Sequence, residues 1–112
     1  MTDSDIYLKY SAQFRAIDDS LDDLMNRAEN FQQASQIMDS WKQSNLNMMT
    51  ARNKLFISHL AQIQEILADF SSASDSMERS LTDLQSGATT INKVAGLITL
   101  AVGKGTQLQQ KV

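Results

Sequence analysis

The sequence predicts an all-α protein built on a long antiparallel helical hairpin of coiled-coil type. Three observations carry that prediction. First, alternating steps of four and three from Phe56 pass through Leu60, Ile63, Leu67, Phe70, Ser74, Met77, Leu81, Leu84, Ala88, Ile91, Ala95, Ile98 and Val102. Only Ser74 is polar, and a 3.5-residue apolar period of this length keeps one seam of a helix against a partner helix. Second, the chain has no proline and only four glycines, so little in it breaks a helix. Third, the same period runs through the first forty residues, and a Ser/Asn-rich stretch separates the two runs.

The first helix is expected over about 4–42, capped by Ser4 or Asp5 with carboxylates near its positive end. Its seam reads Tyr7, Tyr10, Phe14, Ile17, Leu21, Leu24, Ala28, Phe31, Ser35 and Met38. The pattern weakens at Lys42 and Asn45, and Ser and Asn compete locally for backbone hydrogen bonds. The turn is therefore expected at 43–47. A second helix over about 48–88 follows, continuous through the polar run Ser71–Ser76 and through Gly87, because the apolar phase does not slip at either place. A turn between Asn45 and Leu46 would make antiparallel layers such as Tyr10–Leu81, Leu24–Leu67 and Phe31–Leu60, with small residues opposite large ones.

A hairpin of this kind buries one narrow seam, which is thin cover for the conformational entropy of more than eighty ordered residues. Met25, Ala34, Trp41, Ile57, Ile66, Ala73 and Val94 widen the stripe beyond a two-stranded coil. The expected remedy is a homo-oligomer, most simply a dimer forming a four-helix bundle.

Residues 1–88 thus form the expected hairpin, and 89–112 an apolar helical extension with a polar tail. The extension contains Val94-Ala-Gly-Leu-Ile-Thr-Leu-Ala-Val-Gly103, apolar on every side and flanked by Lys93, Lys104 and Lys111. Such a segment needs cover. Burial by a protein partner or by folding back on the hairpin is the preferred reading. Shallow membrane contact through 91–103 is the alternative, since ten residues do not span a bilayer. Gly96 and Gly103 suggest close backbone approach or a bend. The expected partner-binding residues are Ile91, Val94, Leu97, Ile98, Leu100 and Val102, with Trp41 and Met49 as a second region near the turn.

Composition narrows the function classes. Thirteen acids against ten bases disfavour non-specific nucleic-acid binding, which wants a basic face. Without cysteine there are no disulfides or thiolate metal sites. The acidic run Asp18-Asp-Ser-Leu-Asp-Asp23 reads as a solvated helix face, because calcium wants a wrapping loop. His59, alone among histidines, reads as a half-buried neighbour of Phe56 and Ile63, and zinc or haem ligation is not expected. Asn53 is open between a buried register residue and an exposed one. No phosphate loop, nucleophile elbow or converging acid pair is present, so neither catalysis nor a cofactor is expected.

Trp41-Lys42-Gln43 prompts one comparison. The hairpin is similar in length and form to the WXG100-type proteins exported by type VII secretion, which carry Trp-x-Gly at the turn. Here the glycine is missing, and so is their C-terminal Tyr-x-x-x-acid signal. The expectation is a non-catalytic assembly or adaptor protein that oligomerises and binds a protein partner, of the class of small secretion-system subunits and chaperones. The acidic N-terminus is unlike a cleaved signal peptide, so a cytoplasmic location, or export by another route, is expected.

Overall fold

Thr2, Asn30, Gly87 and Thr90 decide where the helices begin and end. The computed structural model describes residues 1–112. Helix α1 (Asp3–Arg27) starts with a capping box: Thr2 Oγ1 accepts from the Asp5 N–H at 3.2 Å, and the Asp5 carboxylate accepts from the Thr2 N–H at 2.8 Å. Thr2 is therefore the cap, and Asp5 its partner three residues on. Helix α2 (Phe31–Ala51) is capped by Asn30, whose Oδ1 accepts from the Gln33 N–H at 2.8 Å. Gln33 reaches back to the Glu29 N–H, also at 2.8 Å, to complete a similar exchange.

A short 3₁₀ turn (Ile57–His59) leads into α3 (Leu60–Ser86). Gly87 closes α3 at φ +80°, a left-handed conformation that suits glycine. The Gly87 and Ala88 N–H groups donate to the Leu84 and Asp83 carbonyls, which makes this end a Schellman motif. Thr90 then caps α4 (Ile91–Gln110).

The chain is all-helical, with four helices and no strand. The single-hairpin layout of 4–42 and 48–88 is not what forms. The first run breaks at 28–30, the second at 87–90, and residues 43–47 lie inside α2. Phase continuity misled at both breaks. A short loop can start the next helix with its seam toward the same core, so an unbroken apolar period does not require an unbroken helix. The continuous passage through Ser71–Ser76 does occur, inside α3.

The predicted turn is helical because its polar groups find partners elsewhere. Ser44 Oγ donates to the Trp41 carbonyl at 2.8 Å, and Asn47 Nδ2 donates to Thr106 Oγ1 at 3.1 Å. The chain instead reverses over 52–59. There Phe56 is fully buried, the Ile57 N–H donates to Asp3 Oδ1 at 2.8 Å, and Asn53 and His59 are exposed.

Successive helices alternate in direction, so α1 runs parallel to α3 and α2 parallel to α4. Tyr10 packs on Phe70 with ring centroids 4.5 Å apart, and Gln13 Nε2 donates to Ser74 Oγ at 3.0 Å. This parallel α1–α3 register replaces the antiparallel layers expected from sequence. The closest helix packing is α3 on α4, α1 on α2, and α2 on α4, while α2 and α3 lie across the bundle from one another. Overall the bundle measures 42 × 22 × 18 Å.

The core has two apolar clusters with a polar layer between them. One contains Ile17, Leu24, Ile37, Met77, Leu81, Leu84, Val94, Ile98 and Val102. The other contains Ile6, Tyr10, Ala51, Phe56, Ile63, Leu67, Phe70 and Leu108. Between them lie the Gln13–Ser74 pair, Asn47, and the Tyr10 hydroxyl, which donates to the Gly105 carbonyl at 2.6 Å. Burial pushes the Tyr10 hydroxyl well above its ordinary pKa, keeping it a donor. A Cβ at Gly105 would stand 3.0 Å from ring atoms of both Tyr10 and Phe70. Close approach at a glycine is thus real, but at Gly105 and within the chain.

Candidate functional site

Helix α2 is amphipathic in an unusual sense. Its buried stripe is Gln33, Ile37, Ser40, Ser44, Asn47 and Ala51, a strict four-three step in which only Ile37 is a large apolar residue. Of its other large apolar side chains, Trp41 and Met48 pack against the edges of the two core clusters. Phe31 is 87% exposed, Leu46 55% and Met49 58%, while Met38, Trp41 and Met48 are half-buried. The seam expected through Phe31, Ser35 and Met38 therefore does not face the core.

Helix α4 supplies partners to Gln33 and Asn47 of this stripe, and to Gln36 beside it. Gln33 Nε2 donates to Asn92 Oδ1, and Gln36 Nε2 to Thr99 Oγ1 at 2.8 Å. Asn47 Nδ2 reaches Thr106 Oγ1, and Gln109 Nε2 reaches the Asn47 carbonyl. A buried polar group is costly only when unpaired; α4 pairs Gln33 and Asn47 toward the two ends of the stripe, and Ser44 bonds back to the Trp41 carbonyl within α2. On the other flank, Trp41 Nε1 donates to Asp18 Oδ1 at 2.9 Å, with the Phe14 ring 6.3 Å away. Trp41 thus sits in mid-helix and fastens α2 to α1, so the likeness to a Trp-x-Gly turn ends at composition.

The outward surface formed by α2 and α4 is poor in charge. The two helices carry one acid and three bases, Asp39, Lys42, Lys93 and Lys104, whereas α1 and α3 carry eleven acids and four bases. On α4, Gly96, Leu100 and Gly103 are exposed, and a Cβ at either glycine would meet nothing within 4 Å. Asp39 and Lys42 are exposed, and neither forms an ion pair; the one ion pair in the chain is Arg27–Asp23 at 2.9 Å.

The residues singled out from sequence divide accordingly. Val94 and Ile98 are fully buried and Val102 is 3% exposed, so the chain itself supplies the cover that the 89–103 segment demands. Ile91 is half-buried against the same cluster, and Leu97 is half-buried beside the groove between α3 and α4. Leu100 and Met49 are exposed, on the α4 and α2 sides of one layer. Phe31 and Leu46 belong with them and were missed. Asn30 followed by Gln33 is the signal that would have found Phe31, since it marks a new helix whose first residue is Phe31.

Elsewhere the surface offers grooves rather than enclosed cavities. One, of about 500 Å³, lies between α3 and α4 and is lined by Arg79, Asp83, Asn92 and Lys93 among others. Another groove, between α1 and α3, is lined by Asp5, Lys9, Asp75 and Glu78. Partial burial and the neighbouring Asp75 raise the Glu78 pKa. No helix is long and apolar enough to cross a membrane. Comparison with protein families, with curated proteins and with solved structures gives no match.

Proposed function

We propose that this protein is a non-catalytic helical assembly protein that docks another helical protein surface on its α2/α4 face. The contact residues are Phe31, Leu46 and Met49 on α2 and Leu100 on α4. Small secretion-system subunits and chaperones are proteins of this kind.

The inversion of α2 carries the reading. A surface helix normally turns its apolar stripe inward, yet α2 turns Gln33, Ser40, Ser44 and Asn47 inward and leaves Phe31, Leu46 and Met49 in solvent. Interfaces carry fewer charged residues and more aromatic residues and methionine than the rest of a surface, and α2 and α4 carry four charges where α1 and α3 carry fifteen. Membrane insertion of 91–103 would have to extract Val94, Ile98 and Val102 from the core.

The test is a photo-reactive benzophenone amino acid placed at Met49, and separately at exposed Glu65 on α3, in the cells that make the protein. One discrete adduct from position 49 and none from position 65 is expected. Equal adducts from both positions, or none from position 49, would contradict the docking role.

A further inference from the structure

We infer that the occupant of the α2/α4 face is a second copy of this chain, packed antiparallel about a two-fold axis that crosses the face at right angles to the helices. The inference rests on the docking role proposed for that face and adds the identity of the partner and its register.

The argument begins with the distribution of features along the two helices. On α2 the only charged residues are Asp39 and Lys42, of opposite sign and without ion-pair partners. The exposed apolar residues Phe31 and Met49 lie on either side of them, at nearly equal distances along the helix. On α4, the exposed glycines 96 and 103 flank Leu100. A helix interior disfavours glycine, and nothing within the chain requires one at either position.

The two arrangements share a centre. The point midway between Asp39 and Lys42 and the point midway between Gly96 and Gly103 are 59 positions apart. The hydrogen-bonded pairs Gln33–Asn92 and Asn47–Thr106, which fix the register of α2 against α4, are each separated by 59 as well. Both midpoints therefore lie at one level of the bundle, where a single two-fold axis serves both helices.

About that axis the chemistry is self-complementary, as an isologous interface requires. Asp39 of each copy meets Lys42 of the other. Phe31 meets the region of Met49, and Gly96 passes Gly103, where missing side chains let the backbones come close. Leu100 lies near the axis beside its own counterpart. The heterologous alternative, this face against the acidic α1/α3 layer, would leave the Asp39–Lys42 symmetry unused.

The size is also suitable. The long axis of 42 Å and a width of 18–22 Å bound a face on the order of 800 Å², about what each partner contributes to a standard interface.

The absence of cysteine makes the test clean. Single cysteines are introduced into the full-length purified chain at Leu100, Phe31, Met49 and, as a control on α1, the exposed Leu8. Mild oxidation should link Leu100→Cys to itself as the major product, at twice the 12.5 kDa chain mass. Phe31→Cys and Met49→Cys should link to each other when mixed and scarcely to themselves, and Leu8→Cys should not link.

A second arm uses charge. Asp39→Lys should weaken self-association by about tenfold or more at low salt, and the double swap Asp39→Lys with Lys42→Asp should restore it. A single-chain mass by light scattering at several hundred micromolar would overturn the inference. So would a dimer that leaves Leu100→Cys unlinked, or one in which the double swap rescues nothing. A monomer that still yields a Met49 photo-adduct of another mass in cells would refute the second copy and leave the docking role intact.

Discussion

The α1/α3 and α2/α4 layers are each a pair of parallel helices, and they are held together by different chemistry. Between α1 and α3, large apolar side chains such as Ile17, Leu24, Phe70 and Met77 meet at the core on either side of the single Gln13–Ser74 hydrogen bond, and the outside is strongly acidic. Between α2 and α4, amide and hydroxyl groups meet, and the outside is poor in charge, with Phe31, Leu46, Met49 and Leu100 exposed among uncharged polar residues. The difference teaches that a buried stripe need not be an apolar stripe. If a neighbouring helix supplies partners, a polar face can go inward, which leaves the apolar face free for another task.

The comparison breaks most readily at Phe70. Phe70→Ala should cost about 3–5 kcal/mol in denaturant unfolding, because it empties the aromatic cluster with Tyr10 and Phe56. Asn47→Ala should cost about 1–3 kcal/mol, chiefly from loss of the buried hydrogen bonds that Asn47 makes to Thr106 and the Val102 carbonyl. Equal losses for the two variants would mean that the layers are not held differently.

A glycine pair sharpens the contrast further. Gly105→Ala should be net destabilising by about 1–2 kcal/mol, since overpacking against two rings outweighs the gain in helix propensity. Gly103→Ala, with open space around it, should stabilise the chain by about 0.5–1 kcal/mol when measured at high dilution. The same change should weaken self-association at high concentration, where the second copy fills that space.

The smallest effect belongs to the acidic layer. The raised Glu78 pKa, from partial burial and then from Asp75, means that folding penalises its charged form. The penalty is absent below the unfolded pKa, grows as pH rises to the folded pKa, and is complete above it. Glu78→Gln should therefore raise the melting temperature slightly at pH 7 and leave it unchanged at pH 3.

Much of the fold was legible. The seam of α3 is buried almost residue for residue at Ile63, Leu67, Phe70, Ser74, Met77, Leu81 and Leu84, because its large apolar side chains announce their own burial. The demand for cover on 89–103 was also legible, though the cover is the chain itself. What stayed hidden was α2. Ser40, Ser44 and Asn47 carry the signature of a turn, yet all three are buried in a helix, where Asn47 bonds to Thr106, Val102 and Gln109 of α4 and Ser44 bonds back to the Trp41 carbonyl. The Asn47 pairing is long-range, so no local pattern contains it. The same polar stripe hides the outward face, since the apolar period alone places Phe31 and Met38 in the core.

The orientation of α2 is tested most directly by thiol labelling of two single-cysteine variants, Ser44→Cys and Met49→Cys. At high dilution the cysteine at 49 should react at nearly the rate of an unfolded thiol, slowing as concentration rises. The cysteine at 44 should be protected at every concentration. Rapid labelling at 44 together with protection at 49 in dilute solution would show that α2 turns its apolar face inward after all, and the docking surface would not exist.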